Sequence, residues 1–189
     1  MTRPANNEGG ATMVEPKQVI DFWRDAGPDK WFARDDGFDA RFREGFADAH
    51  WAAARRELEH WMDTADGALA LLLLLDQFPR NCFRRSGHAY ATDPLARHYA
   101  ARAIDAGLDA QVDPALRVFM YMPFEHSEDM ADQRRTLELM RAVDAGYMQY
   151  AVAHRDVIER FGRFPHRNRE LGRVNTPEEQ DWLDAGGGF

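Results

Sequence analysis

The unbroken apolar run from Ala68 to Leu75, bracketed by Asp66 and Asp76, constrains the fold more than any other stretch of this chain. It falls far short of the ~20 residues that cross a bilayer, so it reads as a helix buried in a protein core. A chain of 189 residues can build that core without disulfides, hiding roughly 70% of the surface its unfolded form exposes. The expected organisation is a flexible tail over residues 1–14, where Pro4, Asn6, Asn7, Gly9 and Gly10 leave little to bury, followed by a single helical domain over 15–189.

Helical periodicity is clear elsewhere too. Tyr147, Tyr150, Ala151, His154, Ile158 and Phe161 share one stripe, as do Leu95, Tyr99, Ala103 and Ala106. Gly107 and Gly162 stand where left-handed caps would close those two helices. Glu15-Pro16, Asp93-Pro94, Asp113-Pro114 and Thr176-Pro177 repeat a helix-start device, a capping or acidic residue before a proline whose missing N–H costs nothing there. Thr176 and Glu179 add the spacing of a capping box. Helices are predicted near 16–25, 38–54, 66–77, 94–106, 114–122, 127–141, 147–161 and 177–184, with Pro79 ending or kinking the third. No strand pattern appears. Short loops favour antiparallel neighbours, so the expected fold is all-α, with antiparallel helical hairpins stacked into one body.

Charge and cysteine content exclude several classes. A net charge of −8 argues against nucleic acid as a partner. The lone Cys82 cannot pair within the chain and no apolar leader follows the N-terminus, so the expected location is the cytoplasm, with no membrane partner. Cys82 also lacks a nucleophile signature and is expected to be inert. There is no G-x-G-x-x-G, Walker-type loop, H-E-x-x-H or G-x-S-x-G, so no cofactor is expected. His154-Arg155-Asp156 has none of the companions of a kinase catalytic loop. His126, His154 and His166 lack ligand spacing, and no bound metal is expected.

Polar residues gather in three places. Asp76 and Arg80 are four apart on the apolar helix, close enough to pair, with Asn81 beside them. Glu125-His126-Ser127-Glu128-Asp129 offers an imidazole among carboxylates; Ser127 and Asp129 read as a cap and first-turn charge of the next helix, which leaves His126 and Glu128 as site candidates. Arg163, His166, Arg167, Asn168 and Arg173 form the richest cluster, and they must either pair with carboxylates such as Asp76 and Glu128 or line an anion-binding cavity. His154, on an apolar stripe, needs a partner of its own. Phe78-Pro79-Arg80-Asn81 and Phe164-Pro165-His166-Arg167-Asn168 echo each other, through duplication or chance.

The strings LLDQFPRN (Leu74 to Asn81), YMPFEHSED (Tyr121 to Asp129) and FGRFPHRN (Phe161 to Asn168), with Gln133, His154-Arg155, Leu171-Gly172-Arg173 and Thr176 to Glu179, resemble an uncharacterised bacterial family, domain of unknown function number 924. The resemblance runs from Val19 to Leu183 and implies a tetratricopeptide-like all-helical fold and no particular reaction. Glu125 falls at a variable position of its Pro-x-x-His-Ser-Glu string, which implies no special role for that residue.

Three functional readings follow. The first is a helical binding module whose polar pocket, drawn from Asp76, Arg80, Asn81, His126, Glu128, His154, Arg163, His166, Arg167, Asn168 and Arg173, takes a small anionic ligand or an acidic peptide end. The second is a hydrolase or proton-transfer enzyme with His126 or His166 as base and Arg163 or Arg167 holding the substrate anion. The third is a buried polar network that only locks the end of the chain to the core. Convergence on an open cavity favours the first two, and a sealed cluster favours the third. Removing the charge of Arg167 should cost little stability in an open cluster and much in a sealed one.

Overall fold

The computed structural model describes residues 14–189, and all but the last residue of the expected tail lies outside the described residues. Val14, that last residue, packs against the core. Helices α1 (Pro16–Ala26), α2 (Pro28–Trp31) and α3 (Asp36–Ala54) lead to a long helix made of α4 (Ala65–Leu72), a π-helical turn (Leu73–Gln77) and α5 (Phe78–Cys82). Helices α6 (Asp93–Asp105), α7 (Val118–Glu125), α8 (Met130–Leu139), α9 (Ala145–Phe161) and α10 (Pro177–Asp184) follow. Among the described residues the fold is all-α with no strand, and no helix is long and apolar enough to cross a membrane.

The leucine run lies at the centre. Every residue from Gly67 to Pro79 is buried, and each buried leucine there contributes roughly 1.5–3 kcal/mol relative to an exposed one. Helices α1, α6 and α7 pack against α4, and α3 packs against α5. Beyond α6 the helices stack in sequence, α6 on α7, α7 on α8 and α8 on α9. Trp23, Phe38, Phe42 and Phe119 fill one end of this core, with Trp23 lying 5.3 Å from Phe119 and 5.5 Å from Phe42 between ring centroids. Thr64 caps α4 by accepting from the Gly67 amide. Gly67 is required because a Cβ would collide with the Trp61 carbonyl.

Pro79 does not end the helix. The helix passes through it by widening to a π turn, in which the Phe78 amide bonds to the Leu73 carbonyl and so leaves the Leu74 carbonyl without its usual partner. Pro79 has no N–H to offer the Leu75 carbonyl. Side chains from elsewhere take both oxygens: His50 Nδ1 lies 2.8 Å from Leu74 O, and Thr92 Oγ1 donates to Leu75 O. Arg80 Nη1 donates to the Asp76 carbonyl at 2.8 Å.

Several helix ends differ from the predicted ones. Asp113-Pro114 opens a turn, its carboxylate accepting from the Ala115 amide, so α7 starts four residues later at Val118 and runs through Pro123. Ser127 is not a helix cap. Its hydroxyl accepts from the Asp129 amide, and Asp129 caps α8 by accepting from Ala131. Gln133, fully buried, stitches this corner by donating to the carbonyls of Glu125 and Ser127 at 2.7 Å each. Thr176 and Glu179 do form the expected capping box, and Gly107 and Gly162 both have φ of +68°.

A second, smaller apolar cluster of Val157, Ile158 and Phe164, with Met130, Phe161 and Trp182 against it, anchors the end of the chain. Paired charges reinforce it. Arg163 grips Glu179 through Nε and Nη2 at 2.6 and 2.8 Å, and Arg173 grips Glu128 with two contacts of 2.8 Å.

Candidate functional site

The π turn places Asp76 and Gln77 against α7. Asp76 is only 1% exposed. Its carboxylate lies 2.8 Å from His126 Nδ1, accepts from Gln77 Nε2 at 2.5 Å, and meets Arg80 Nη1 at 3.1 Å. Arg80, one helical turn on, also donates with both terminal nitrogens to the two oxygens of Asp93, at 2.8 and 2.9 Å. Burial pushes the Asp76 carboxyl up, but the Arg80 charge, and then His126, outweighs it and holds the group below the usual carboxylate range.

Arg167 approaches from the other Phe-Pro string. It is 5% exposed, with its guanidinium between the rings of Phe164 at 4.3 Å and Tyr90 at 4.7 Å. It donates to the His126 carbonyl at 3.0 Å, while its nearest carboxylate, Asp93, stands 3.5 Å away and is already taken by Arg80. Its Nε has no hydrogen-bond partner. Burial, and then repulsion from Arg80, lowers the guanidinium to about 10. The arginines of the two echoing strings thus meet on one aspartate. Their backbones differ, however: Phe78–Cys82 continues a helix, whereas Pro165–Arg167 is a single 3-10 turn.

Around this pair opens a cavity of about 920 Å³. Arg80, Arg167, His126, His154 and His166 line it, with Arg34, Arg84 and Arg85 adding further cations against only Glu125 and Glu170. Trp31, Phe32, Met122, Tyr147, Tyr150 and Phe189 supply apolar and aromatic wall. The Phe189 ring stacks on His154 at 3.7 Å. His154 Nδ1 bonds the Tyr150 carbonyl at 2.9 Å, and burial, followed by His126, lowers its imidazole to about 3. Burial, and then Arg167, lowers His166 to about 4, and its Nδ1 has no partner. Glu125 is pushed up to about 8, first by burial and then by the charge of Asp76.

The structure therefore brings Arg80, His126, His154, His166 and Arg167 to one open cavity, with Asp76 buried directly behind. It does not bring the other candidates there. Arg163 and Asn168 hold Glu179, Arg173 holds Glu128, and Glu128 also accepts from the Phe164 amide. Asn81 donates to Asp39 at 2.7 Å. These are ties between segments, and none of the five lines the cavity. Cys82 is buried, and burial pushes its thiol up to about 12. Sequence reasoning missed Asp93 and Tyr90, since an aspartate before a proline reads as a helix start. It set Glu125 aside, yet this carboxyl group faces the cavity.

The neutral, half-buried state of His166 has a measurable consequence. In the unfolded chain its imidazole protonates near 6.5, and in the folded chain only near 4. Lowering the pH through that window therefore protonates the unfolded state first, and stability should fall by up to about 1.4 kcal/mol per pH unit, levelling off below 4. Urea unfolding at pH 7, 6 and 5 should show a shallower dependence in His166→Gln than in wild type; parallel slopes would mean that His166 titrates normally.

Fold and site together define an all-helical protein whose central helix delivers a buried charge nest to an open, arginine-rich cavity. Over residues 19–187 the chain matches the family described as "Bacterial protein of unknown function (DUF924)", and it belongs to that family. It is similar to a solved structure, the protein of unknown function ATU0120 from Agrobacterium tumefaciens, with 55% identity over 90% of this chain and 97% of that one and a TM-score of 0.88. No curated protein matches it.

Proposed function

We propose that the protein binds a small organic acid, with a carboxylate or phosphate group held by Arg167 and an apolar or aromatic body against the tyrosine, tryptophan and phenylalanine wall. The observation that carries this reading is the cavity lining, in which five arginines meet two glutamates while burial holds the three histidines below their ordinary range. Arg167 is the buried cation among them that has no carboxylate of its own. A guanidinium whose nearest carboxylate is shared with Arg80 gains a charge-assisted hydrogen bond when an anion reaches its terminal N–H groups. The cavity volume falls in the range of small-molecule sites, about 300–1,000 Å³. A lone, buried Cys82 supports placing this activity in the cytoplasm.

A second reading, proton-transfer catalysis, rests on one contact. The bond from Asp76 to His126 Nδ1 orients the imidazole and leaves Nε2 as a base.

Thermal denaturation tests the binding reading. Phosphate, acetate and phenylpropionate should each raise the melting temperature saturably, because a ligand that binds only the folded state adds about 2.7 kcal/mol at a hundred times its Kd. Phenylpropionate should act at the lowest concentration, and phenylpropionamide should have no effect. Arg167→Gln should abolish the shift measured against its own ligand-free baseline. That baseline will itself be lower than wild type, since Arg167 is packed between two rings and tied to the His126 carbonyl. No saturable shift with any acid, or an equal shift with the amide, would refute the reading.

A further inference from the structure

We propose that Glu125, His126 and His154 form a binding site for a divalent transition-metal ion in the wall of the cavity. One donor atom from each of the three lies within 4.8 Å of the others. Ligand atoms sit about 2.0–2.2 Å from an ion such as zinc, hence roughly 3.3–3.6 Å from one another in a tetrahedral shell. Closing the remaining gap takes rotation of the imidazoles as well as of Glu125, whose carboxylate is held by no hydrogen bond and turns most freely. Its Oε1 lies 3.5 Å from His154 Nδ1.

Three features point to a cation. The first is Glu125 itself, 3% exposed, facing the cavity and unpartnered, whereas the neighbouring Asp76 and Asp93 both have arginine partners. Burial and Asp76 outweigh the more distant Arg80 charge at this carboxyl, and a cation bound directly to it would favour its ionised form. The second is the orientation of the imidazoles. His126 gives Nδ1 to Asp76 at 2.8 Å and His154 gives Nδ1 to the Tyr150 carbonyl at 2.9 Å. Each ring is left with the Nε2 lone pair. Carboxylates and backbone carbonyls orient metal-binding histidines in this manner. The third is charge. Arg80 is clamped between Asp76 and Asp93, and Arg167 leans on Asp93, so neither guanidinium is paired with Glu125.

The donor set selects the metal class. Two imidazoles and one carboxylate suit zinc, iron(II) or cobalt(II), whereas magnesium and calcium favour all-oxygen shells. Positions not filled by protein would open on the cavity. The stacked Phe189 ring covers the face of His154 and leaves the in-plane lone pair accessible. Sequence spacing hides the site, because His126 follows α7 and His154 lies on α9, with no two-histidine motif on one helix. The proposal does not depend on anion binding, and the test uses no organic acid.

Full-length protein stripped with a chelator is titrated with cobalt(II) alone. Visible d–d absorption bands should grow to one ion per chain and be displaced by zinc. Glu125→Gln, which keeps the shape of the side chain, and His154→Gln should each weaken cobalt binding by at least about tenfold while keeping the wild-type far-UV circular dichroism. Absence of a stoichiometric cobalt spectrum overturns the proposal, and so does a spectrum and affinity unchanged in Glu125→Gln.

Discussion

Asp76→Ala is expected to lose about 3–5 kcal/mol of folding stability, enough to unfold many proteins of this size outright. The carboxylate is buried beside Arg80, His126 and Gln77 and satisfies all three. Alanine would leave the Arg80 charge to Asp93 alone, which Arg167 also approaches. It would also strand the His126 Nδ1–H, and a buried donor without a partner costs about 1–3 kcal/mol by itself. Asp76→Asn should be milder, because an amide of the same shape still accepts one of these bonds. Urea denaturation of the three proteins measures the ordering. A loss below about 1 kcal/mol in Asp76→Ala would mean that water from the cavity replaces the carboxylate.

Phe164→Ala should be nearly as costly, about 3–5 kcal/mol for a large aromatic removed from a closed site. The Phe164 ring is fully buried, supports the Arg167 guanidinium at 4.3 Å, and lies 5.6 Å from both His154 and His166. Its loss removes a surface on which three cavity residues rest, so the response to organic acids should disappear along with the stability. Phe164→Leu refills most of the volume and should cost less than about 1.5 kcal/mol. It should stay folded yet respond more weakly to acids, since an aliphatic chain offers no ring face to the guanidinium. An acid response of wild-type strength in Phe164→Leu would show that the stacking does not position Arg167.

Helices with a clean stripe or an explicit cap were readable in advance, because 3.6-residue periodicity and the chemistry of Thr176 and Glu179 are local. The helix end expected at Pro79 does not occur, because the penalty of a proline is also local, while its remedy is not. Thr92, thirteen residues away, takes the carbonyl that Pro79 cannot serve. The same distinction runs through the site. Arg163, Arg167 and Arg173 look alike in the string, yet Arg163 and Arg173 meet carboxylates on Glu179 and Glu128, and only Arg167 is left between two rings. Which arginine finds a full partner depends on carboxylates elsewhere in the chain, and no spacing rule encodes that. Glu125 was passed over for the opposite reason: nothing near it in sequence reveals that it will be buried without a cation.

The π turn gives the leucine run a constraint of number that its composition conceals. Most of its aliphatic side chains could be exchanged for others of similar volume at modest cost. Deleting one is different. A regular helix would then hand the Leu74 carbonyl to the next backbone amide, and His50 would lose its acceptor. A shortened run would make a better isolated helix and a poorer protein. Length variation in this segment should therefore be far less tolerable than substitution, although every residue involved is apolar and none touches a ligand.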